Sequence, residues 1–446
     1  MTNRKQVDLS RLTTPDYQGS VQNLYHLEEG SACMVCETTS SGSVFDVGSI
    51  FAIAGSDLCR AAFRHFIYSR LHTPAAWQTV GQQIQRDYGN QQPFLDFIHA
   101  KRTDGQSLLD HFQTHGAATH HLGMIDRTTG AVFQDAFPPQ VSPFVLVERF
   151  AVIKPLPVSY RSHHFWDYSP YKNQTRHVVP LENIVRLGLT PGSSLYQKFL
   201  RLGTEAQRLR LQEWGMDGLP LWRFFPVPIA DFTSKYEPED RALTFQEALH
   251  ISGCTGTQFL DIIRMALLGT ELVKGLFQEM SLTLWDIKWE MAKKGDQLLF
   301  VDTIDTDSLR VTCTVTEQEH TLFVHFNKQA IRDYYKLMHP DWIEAIQAAK
   351  AAAAVQGVTF HELLEAGQKT GQYPSTPVIQ DAFLAIQEKK FAVLLAHLLG
   401  RSRSEDATTL RNTCGAEVRA IAQEEVAFYR LAGLLPALLA INGLRR

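Results

Sequence analysis

The chain has 446 residues, of which 44% are hydrophobic and 20% are charged, and its formal net charge is -4 at pH 7. This composition is typical of a globular protein and excludes disorder as the main state. The 43 basic and 47 acidic residues are spread along the chain, so the basic stripe of a nucleic-acid binder is absent. The start of the chain lacks an apolar signal segment, and no stretch reaches the roughly 18 apolar residues of a membrane span. We therefore expect a cytoplasmic protein without nucleic-acid or membrane partners.

The six cysteines are widely scattered, which suits reduced thiols in a cytosol. Cys33 and Cys36 form a C-x-x-C pair, but no second pair and no nearby histidine follows at metal-site spacing. His111 and His115 are spaced to share a helix face, yet no acidic partners for a metal accompany them. Strand packing is the favoured interpretation for the cysteines, and surface or core-edge positions are favoured for the histidines.

The first third of the chain predicts a mixture of strands and helices. Residues 24–47 are rich in strand formers and are broken by a Ser/Gly cluster at 38–42, which predicts a turn between antiparallel strands. Apolar residues at helical spacing predict a helix over 58–71, and strand patterns recur at 123–133 and 143–153. This order favours an α+β fold over a regular βαβ repeat.

The middle of the chain begins with an irregular stretch. Residues 155–177 are rich in Tyr, His, Pro and Asn without clean periodicity, which predicts a long loop that lies over a cleft. A strand at 183–186, a Gly/Ser turn at 191–194 and a long helix at 256–280 follow.

Beyond Lys328 the sequence becomes helical and rich in alanine. The predicted helices cover 343–355, 381–399 and 416–439. The resulting organisation is an N-terminal α+β lobe, a second α+β lobe with an insertion, and a helical extension long enough for a small domain. The boundaries are 1–150, 151–340 with the insertion at 155–177, and 341–446.

Charged and apolar residues alternate between positions 284 and 291. On a strand this period of two places Asp286, Lys288 and Glu290 on one face, opposite tryptophans and aliphatic residues. A turn sequence at 293–296 and a returning strand then bring Asp302 near the first strand. A strand with one side facing water would show the same alternation.

The segment after the hairpin adds further charge. Asp302, Asp305 and Asp307 precede Arg310 within nine residues, which is more like-charge crowding than a solvated edge needs unless a cation is shared. Mg²⁺ held against nucleotide phosphates would supply that cation, whereas Lys288 and Arg310 offer contacts to anions.

These residues resemble a known signature. D-x-K-x-E, a turn and D-x-x-x-x-D-x-x-R are similar to the pattern of the SAICAR synthetase family. Further matches follow in the family's order across roughly residues 28–340: Ser43-Val-Phe-Asp46-Val, Glu182-Asn-Ile-Val-Arg186 with Gly192-Ser193, Thr233-Ser-Lys235 with acids at Glu237, Glu239 and Asp240, and Asn327-Lys-Gln-Ala-Ile-Arg-Asp-Tyr334.

The resemblance implies a two-lobed ATP-binding α+β fold with a C-terminal all-helical extension. It also implies an ATP- and Mg²⁺-dependent ligase of purine biosynthesis that joins L-aspartate to carboxyaminoimidazole ribotide through an acyl phosphate. The partners would be these small molecules, and a homo-oligomer is left open. The implied roles are ATP and Mg²⁺ binding by Glu290 and Asp302, adenine contact near Val147, ribotide phosphate binding by Arg186, Ser193 and Arg310, catalysis by Lys288 and Asp286, and substrate contact by Asp46, Lys235 and Asp307.

The sequence departs from the family pattern where lysines usually meet the ATP phosphates. Residues 30–33 and 54–57 contain no lysine at the matching positions. Arg60 and Arg64 lie about one helical turn apart and would replace the lost charges, although exposed helix arginines are commoner. An extra residue before Gly192 leaves open whether Ser193 or its neighbour receives the phosphate. A related ligase with another carboxylate and amine, and a catalytically inactive binding homologue, are the alternatives.

Overall fold

The structure is a computed structural model that describes residues 6–28, 30–161, 163–237, 240–317, 319–356, 359–402 and 406–444. The strands are β1 (Tyr17–Gln18), β2 (Gln22–His26), β3 (Cys33–Thr38), β4 (Ser41–Ser43), β5 (Ser49–Ala52), β6 (His121–Ile125), β7 (Val132–Phe133), β8 (Phe144–Glu148), β9 (Leu156–Tyr160), β10 (His163–Asp167), β11 (Arg176–Val178), β12 (Leu181–Gly188), β13 (Phe224–Ser234), β14 (Ala242–Leu243), β15 (Thr283–Lys294), β16 (Gln297–Val301), β17 (Leu309–Glu317) and β18 (His320–His325). The α-helices are α1 (Ser56–His72), α2 (Pro74–Tyr88), α3 (Gln92–Ile98), α4 (Leu108–His115), α5 (Ser194–Leu200), α6 (Thr204–Glu213), α7 (Phe245–Ser252), α8 (Gly256–Glu279), α9 (Gln329–Met338), α10 (Pro340–Gln356), α11 (Phe360–Lys369), α12 (Asp381–Ser402), α13 (Ala407–Leu431) and α14 (Leu435–Ile441).

The N-terminal part forms an antiparallel sheet with the strand order β1-β2-β3-β8-β6-β7. Helix α1 covers one face of it, and Ala61 of this helix packs against Cys36, Met124, Val145 and Val147 of the strands. The alternate side chains on the other face are also buried, where Val35, Ile125 and Leu146 form a smaller cluster with Val7 and Tyr25. The predicted helix at 58–71 and the α+β class are confirmed.

A second antiparallel sheet holds the charged hairpin. Its order is β14-β13-β12-β15-β17-β18, and β11 and β16 pair with the far end of β15. Helix α8 packs on this sheet, where Gly269 lies so close to the Trp289 ring that a Cβ atom would come within 2.9 Å of it. The Trp289 indole N–H donates to Thr270 Oγ1 at 2.9 Å, so the apolar face of β15 is anchored to the long helix.

The stretch at 155–177 is not the predicted long loop. Strands β9 and β10 pair as a separate two-stranded hairpin that turns at Arg161, whose φ is 55°. This hairpin was not predicted because both of its faces carry large apolar residues. Phe165 is exposed on one face, and Trp166 on the other face packs against the core. Without polar–apolar alternation, the period of two that predicts a strand is absent.

The C-terminal helices pack against α1 and against the second sheet. Helix α12 contacts α1, and α13 contacts β17, so their apolar residues join the largest hydrophobic cluster of the molecule. The helix predicted over 416–439 is in fact two helices, because Gly433 at a φ of 72° ends the first and Pro436 starts the next. Among the described residues, no helix is long and apolar enough to cross a membrane.

Candidate functional site

The charged face of β15 is buried. Asp286 is 3% exposed and Glu290 is 4% exposed, although both lie on the side that a half-solvated strand would turn to water. The interpretation of β15 as a strand with a water-facing side is therefore wrong. Buried carboxylates require cationic or hydrogen-bonding partners, and these are found at both ends of this face.

Two arginines flank Asp286 from the neighbouring strands. Arg186 of β12 and Arg310 of β17 lie directly opposite Asp286 in the strand register. Arg310 Nη1 donates to Asp286 Oδ2 at 2.7 Å, and Arg186 Nη1 lies 3.5 Å from the same oxygen. Arg186 Nε also donates to Asp231 Oδ2 at 2.9 Å. Asp286 thus orients two guanidinium groups towards one point in front of the sheet.

The turn that follows β12 approaches the same point. Arg186 Nη1 donates to Ser193 Oγ at 3.1 Å, and Ser193 is fully buried. Arg310 Nη2 donates to the Gly192 carbonyl oxygen at 3.0 Å, which holds the turn against the sheet. The neighbouring Ser194 is exposed and lines the cavity in front of Arg186. Both hydroxyl groups accept from Arg186, Ser194 Oγ at 3.5 Å, but only Ser194 lines the cavity, because Ser193 is buried.

A cavity of about 170 Å³ opens in front of these arginines. Bases outnumber acids in its lining, which contains Arg186, Lys288, Arg310, Lys328 and Arg332 together with Asp286 and Asp307. Burial lowers the pKa of Lys328, and burial together with the nearby Arg310 lowers that of Arg332. Cations crowded in this way favour an anionic ligand. The roles predicted from the sequence did not include Lys328 and Arg332, although both belong to the last quoted match at 327–334.

The other end of the charged face centres on Lys288. Its Nζ donates to Glu290 Oε1 at 2.7 Å and Glu182 Oε1 at 2.9 Å, and lies 3.4 Å from Asp302 Oδ2. Lys235, from the segment after β13, forms a further ion pair with Glu290. Asp302 follows β16 with a φ of 69°, so the chain turns sharply where it delivers this carboxylate. The structure thus brings together Lys288, Glu290 and Asp302, as the hairpin predicted, and adds Lys235, which the sequence did not place in this cluster.

The buried acids at this end differ in their ionisation. Burial and the adjacent Asp302 carboxylate raise the pKa of Glu290 to about 7. For Asp302, burial is outweighed by Lys288 and Lys235, which hold its pKa below the usual value. Burial would lower the pKa of Lys288, but Glu290 and Asp302 keep it well above the ordinary value. The pair therefore carries less than two full negative charges near neutral pH.

The Glu290 and Asp302 carboxylates are the donors available for a magnesium ion at this end of the charged face. Among the described residues, no group of three or more His, Cys, Asp or Glu side chains is arranged to enclose a metal. Mg²⁺ normally keeps several waters and takes one or two carboxylates plus substrate phosphates, rather than a cage made by the protein. The Glu290 and Asp302 pair fits that kind of shared site.

Arg60 and Arg64 of α1 are both buried, so the interpretation of exposed helix arginines is wrong. Arg60 Nε pairs with Asp305 Oδ2 at 3.1 Å, and its Nη2 lies 3.6 Å from Asp307 Oδ2. Arg64 is 1% exposed, and its Nε and Nη1 have no hydrogen-bond partner among the described residues. Two acids of the segment after β16, Asp305 and Asp307, are thus paired with Arg60 of α1.

Other residues with predicted roles lie further from the charged face. Asp46 has 82% of its side chain exposed and pairs with Lys350 of α10. Val147 pairs with the backbone of the neighbouring strands, and its side chain is fully buried beneath α1 rather than directed at a cleft. Ser56, which stands where the family has a lysine, is buried and donates to the Ile53 carbonyl oxygen at 2.7 Å. Glu239 lies outside the described residues.

Comparison with known proteins points to one family. Residues 159–349 match the family model described as SAICAR synthetase. A phosphoribosylaminoimidazole-succinocarboxamide synthase of Thermoplasma acidophilum is 26% identical over 222 residues, or 50% of this chain. A protein of Archaeoglobus fulgidus that carries the same name provisionally is 26% identical over 238 residues, or 53% of this chain. The matched segments span 64% of each relative, which is less than two thirds of their length.

One of the solved structures matched by this chain comes from yeast. The SAICAR-synthase of Saccharomyces cerevisiae complexed with SAICAR is 15% identical to this chain, with a TM-score of 0.47. The match covers 89% of this chain and 97% of the yeast chain.

Proposed function

Because this chain is a divergent member of the SAICAR synthetase family, we propose that it is an ATP-dependent ligase of purine biosynthesis. In this proposal it forms an amide between the carboxylate of carboxyaminoimidazole ribotide and the amine of L-aspartate. The observation that carries the proposal is the buried charged face of β15, which has a cationic cavity at one end and a carboxylate pair at the other. The two ends are joined by Lys288, which belongs to both.

The cationic cavity is the proposed site of the ribotide phosphate. Arg310 and Arg186 are held side by side by Asp286, so their free N–H groups are directed without further ordering. Guanidinium forks match phosphate oxygens, and the exposed Ser194 hydroxyl adds a donor at the start of α5. Lys328 and Arg332 supply the charge that a phosphate dianion requires.

The carboxylate pair is the proposed site of the nucleotide. Glu290 and Asp302 would hold Mg²⁺ there, and the ion would neutralise charge on the ATP phosphates during transfer. Lys235 and Lys288 already lie against these carboxylates and orient them in the absence of the nucleotide. Asp305 and Asp307 are fixed by Arg60, which keeps the rest of this segment in place.

The proposed reaction has two transfers. A carboxylate oxygen of the ribotide attacks the γ-phosphorus of ATP, the bond to the β-phosphate oxygen breaks, and ADP leaves. The amine nitrogen of aspartate then attacks the acyl carbon, loses a proton, and inorganic phosphate departs with the former carboxylate oxygen. Lys288 is placed to stabilise negative charge at the carboxylate in both steps, because it lies between the two ends of the face.

Turnover tests this function directly. Purified protein supplied with ATP, Mg²⁺, L-aspartate and carboxyaminoimidazole ribotide is expected to release ADP and phosphate and to form the amide, identified by its mass. ADP release should require the ribotide. A folded protein that forms no amide under these conditions contradicts the proposed function.

One observation favours a second candidate, a homologue that binds Mg-ATP without this reaction or uses another acid and amine. The positions that carry lysines in the family hold Cys33 and the buried Ser56 here, and Arg60 is committed to Asp305. Calorimetric titration with Mg-ATP, followed by a panel of carboxylates and amines, separates the candidates. Binding without any ADP release in the panel supports the inactive homologue.

A further inference from the structure

A buried ion pair joins two of the C-terminal helices. Lys390 of α12 is 3% exposed and pairs with Glu425 of α13, which is 6% exposed. Gln387 Nε2 donates to the same Glu425 oxygen at 2.8 Å. Two apolar residues of matched size would hold helices together at least as well, because burying two charges removes them from water. Helix packing alone therefore does not explain why a charged pair occupies these positions.

Lys390 also reaches the end of β18. Its Nζ donates to the His325 carbonyl oxygen at 2.7 Å and lies 5.0 Å from the centre of the Phe326 ring. The next residue, Asn327, donates through Nδ2 to the Leu309 carbonyl oxygen at 2.9 Å. This carbonyl belongs to the residue before Arg310. The C-terminal helices are thus connected by two hydrogen bonds to the strand that carries a cavity arginine.

The segment held in this way leads straight into the cationic cavity. Lys328 precedes the first turn of α9, and Arg332 lies on that turn, so the position of both cations depends on where β18 ends. The lining of a second, water-sized cavity of about 30 Å³ includes Lys390, Asn327 and Lys328. The helical extension therefore reaches the segment that carries two of the cavity cations.

We propose that the buried Lys390–Glu425 pair is a positioning element of the anion site, which fixes the 325–332 segment so that Lys328 and Arg332 face the ligand. The identity of the anion rests on the proposed function, but the positioning role does not require turnover. Glu425 orients the Lys390 ammonium, and the ammonium holds the His325 carbonyl. At a buried position such a charge-assisted hydrogen bond holds its geometry better than an apolar contact does.

The test uses ribose 5-phosphate as the probe and the full chain. Calorimetry compares the wild type with Lys390→Met/Glu425→Met, which keeps the packing volume, and with Lys390→Arg, which keeps the charge. Arg332→Met identifies binding at the cavity. The matched control is Lys389→Met/Glu424→Met, because this exposed pair joins the same two helices one residue earlier on each. Thermal unfolding of every variant is recorded alongside.

We expect the buried double variant to bind the probe about tenfold more weakly or worse, while Lys390→Arg and the surface control bind as the wild type does. In turnover, the KM for the ribotide should rise with little change in kcat. Binding by the buried double variant within about twofold of the wild type overturns the proposal. If that variant does not unfold cooperatively, Glu425→Gln is judged by the same criterion.

Two failures are distinguishable. A wild-type protein that does not bind ribose 5-phosphate overturns the anion site and this proposal with it. A wild-type protein that binds the probe through Arg332 but forms no amide overturns only the proposed reaction.

Discussion

Asp286 and Glu290 are carboxylates on one strand, and their surroundings give them different tasks. Asp286 lies between two arginines and orients them, so its own oxygens are already occupied. Glu290 is surrounded by Lys235, Lys288 and a second carboxylate, and its pKa is raised to about 7. A group that titrates near neutral pH can exchange a proton for a cation when a ligand arrives.

The affinity for Mg-ATP is therefore expected to depend on pH through Glu290. Below about pH 7 this carboxyl is protonated and cannot hold Mg²⁺, so Mg-ATP affinity should rise as the pH increases from 6 to 8. Glu290→Gln should weaken binding about tenfold or more at pH 8 and flatten the pH dependence. Calorimetric titration at several pH values measures both effects, with Glu205→Gln on an exposed helix surface as the control. An unchanged pH profile in Glu290→Gln would refute this role.

Asp333 of α9 makes stability depend on pH in the opposite sense to a salt-bridged acid. Burial raises its pKa from 3.8 to about 6, so the folded state binds the proton more tightly than the unfolded chain does. The protonated Asp333 carboxyl therefore contributes to the free energy of unfolding at low pH, and this contribution is lost as the pH rises from about 4 to 6.

The free energy of unfolding of Asp333→Asn relative to that of the wild type should consequently increase by roughly 1–3 kcal/mol when the pH is raised from 4.5 to 7.5. The amide keeps an oxygen that can accept the 2.8 Å hydrogen bond from Gln329 Nε2. Urea unfolding at the two pH values measures the difference, and the exposed Asp381→Asn is the control. An equal stability difference from wild type at both values would contradict the prediction.

At the scale of elements, the β9–β10 hairpin is an isolated pair of strands with two unlike faces. An isolated hairpin of this size is only marginally stable, so its stability here must depend on the side chains that contact the rest of the molecule. Trp166 packs against the main core, whereas Phe165 on the opposite face is 52% exposed. Neighbouring residues of one strand should therefore contribute very differently to stability.

Trp166→Ala is expected to lower the free energy of unfolding by about 2–4 kcal/mol, because Trp166 is partly buried. Phe165→Ser should change it by no more than about 0.5 kcal/mol, since its side chain is already in water. Urea unfolding of the two single variants provides the measurement. Equal destabilisation by both would mean that the Phe165 face is covered in solution.

At the scale of the whole molecule, the C-terminal helices share one hydrophobic core with α1 and the second sheet. Phe383 and Val418 belong to the cluster that includes α1 and β17 residues. Trp222 from the second lobe donates its indole N–H to the Asn442 carbonyl oxygen at 2.7 Å. Removing these helices would expose a wide apolar surface on both lobes.

A chain ending at residue 380 is therefore expected to lose its cooperative unfolding transition and its near-ultraviolet circular dichroism while it keeps secondary structure. The control is a chain in which residues 156–167 are replaced by a short Gly/Ser linker, which should still unfold cooperatively. A sharp transition in the truncated chain would show that the lobes fold without the helices.

Elements with local signals can be predicted from the amino-acid sequence alone. Periodicity and turn residues predict the charged hairpin at 283–301 and the helix at 256–279, and the order of short matches gives the resemblance to the SAICAR synthetase family. The sequence also predicted that Glu290, Asp302 and Lys288 meet, because a hairpin brings together residues close in the chain.

The tertiary structure was needed to show which side chains line the cavity and which are enclosed. Ser194 rather than Ser193 lines the cavity, Arg60 is buried against Asp305, and Lys390 reaches the His325 carbonyl oxygen from a distant helix. Each of these outcomes depends on the direction of a side chain or on a contact between residues far apart in the chain. Local periodicity carries no information about such contacts, since burial at each point is set by the elements packed around it.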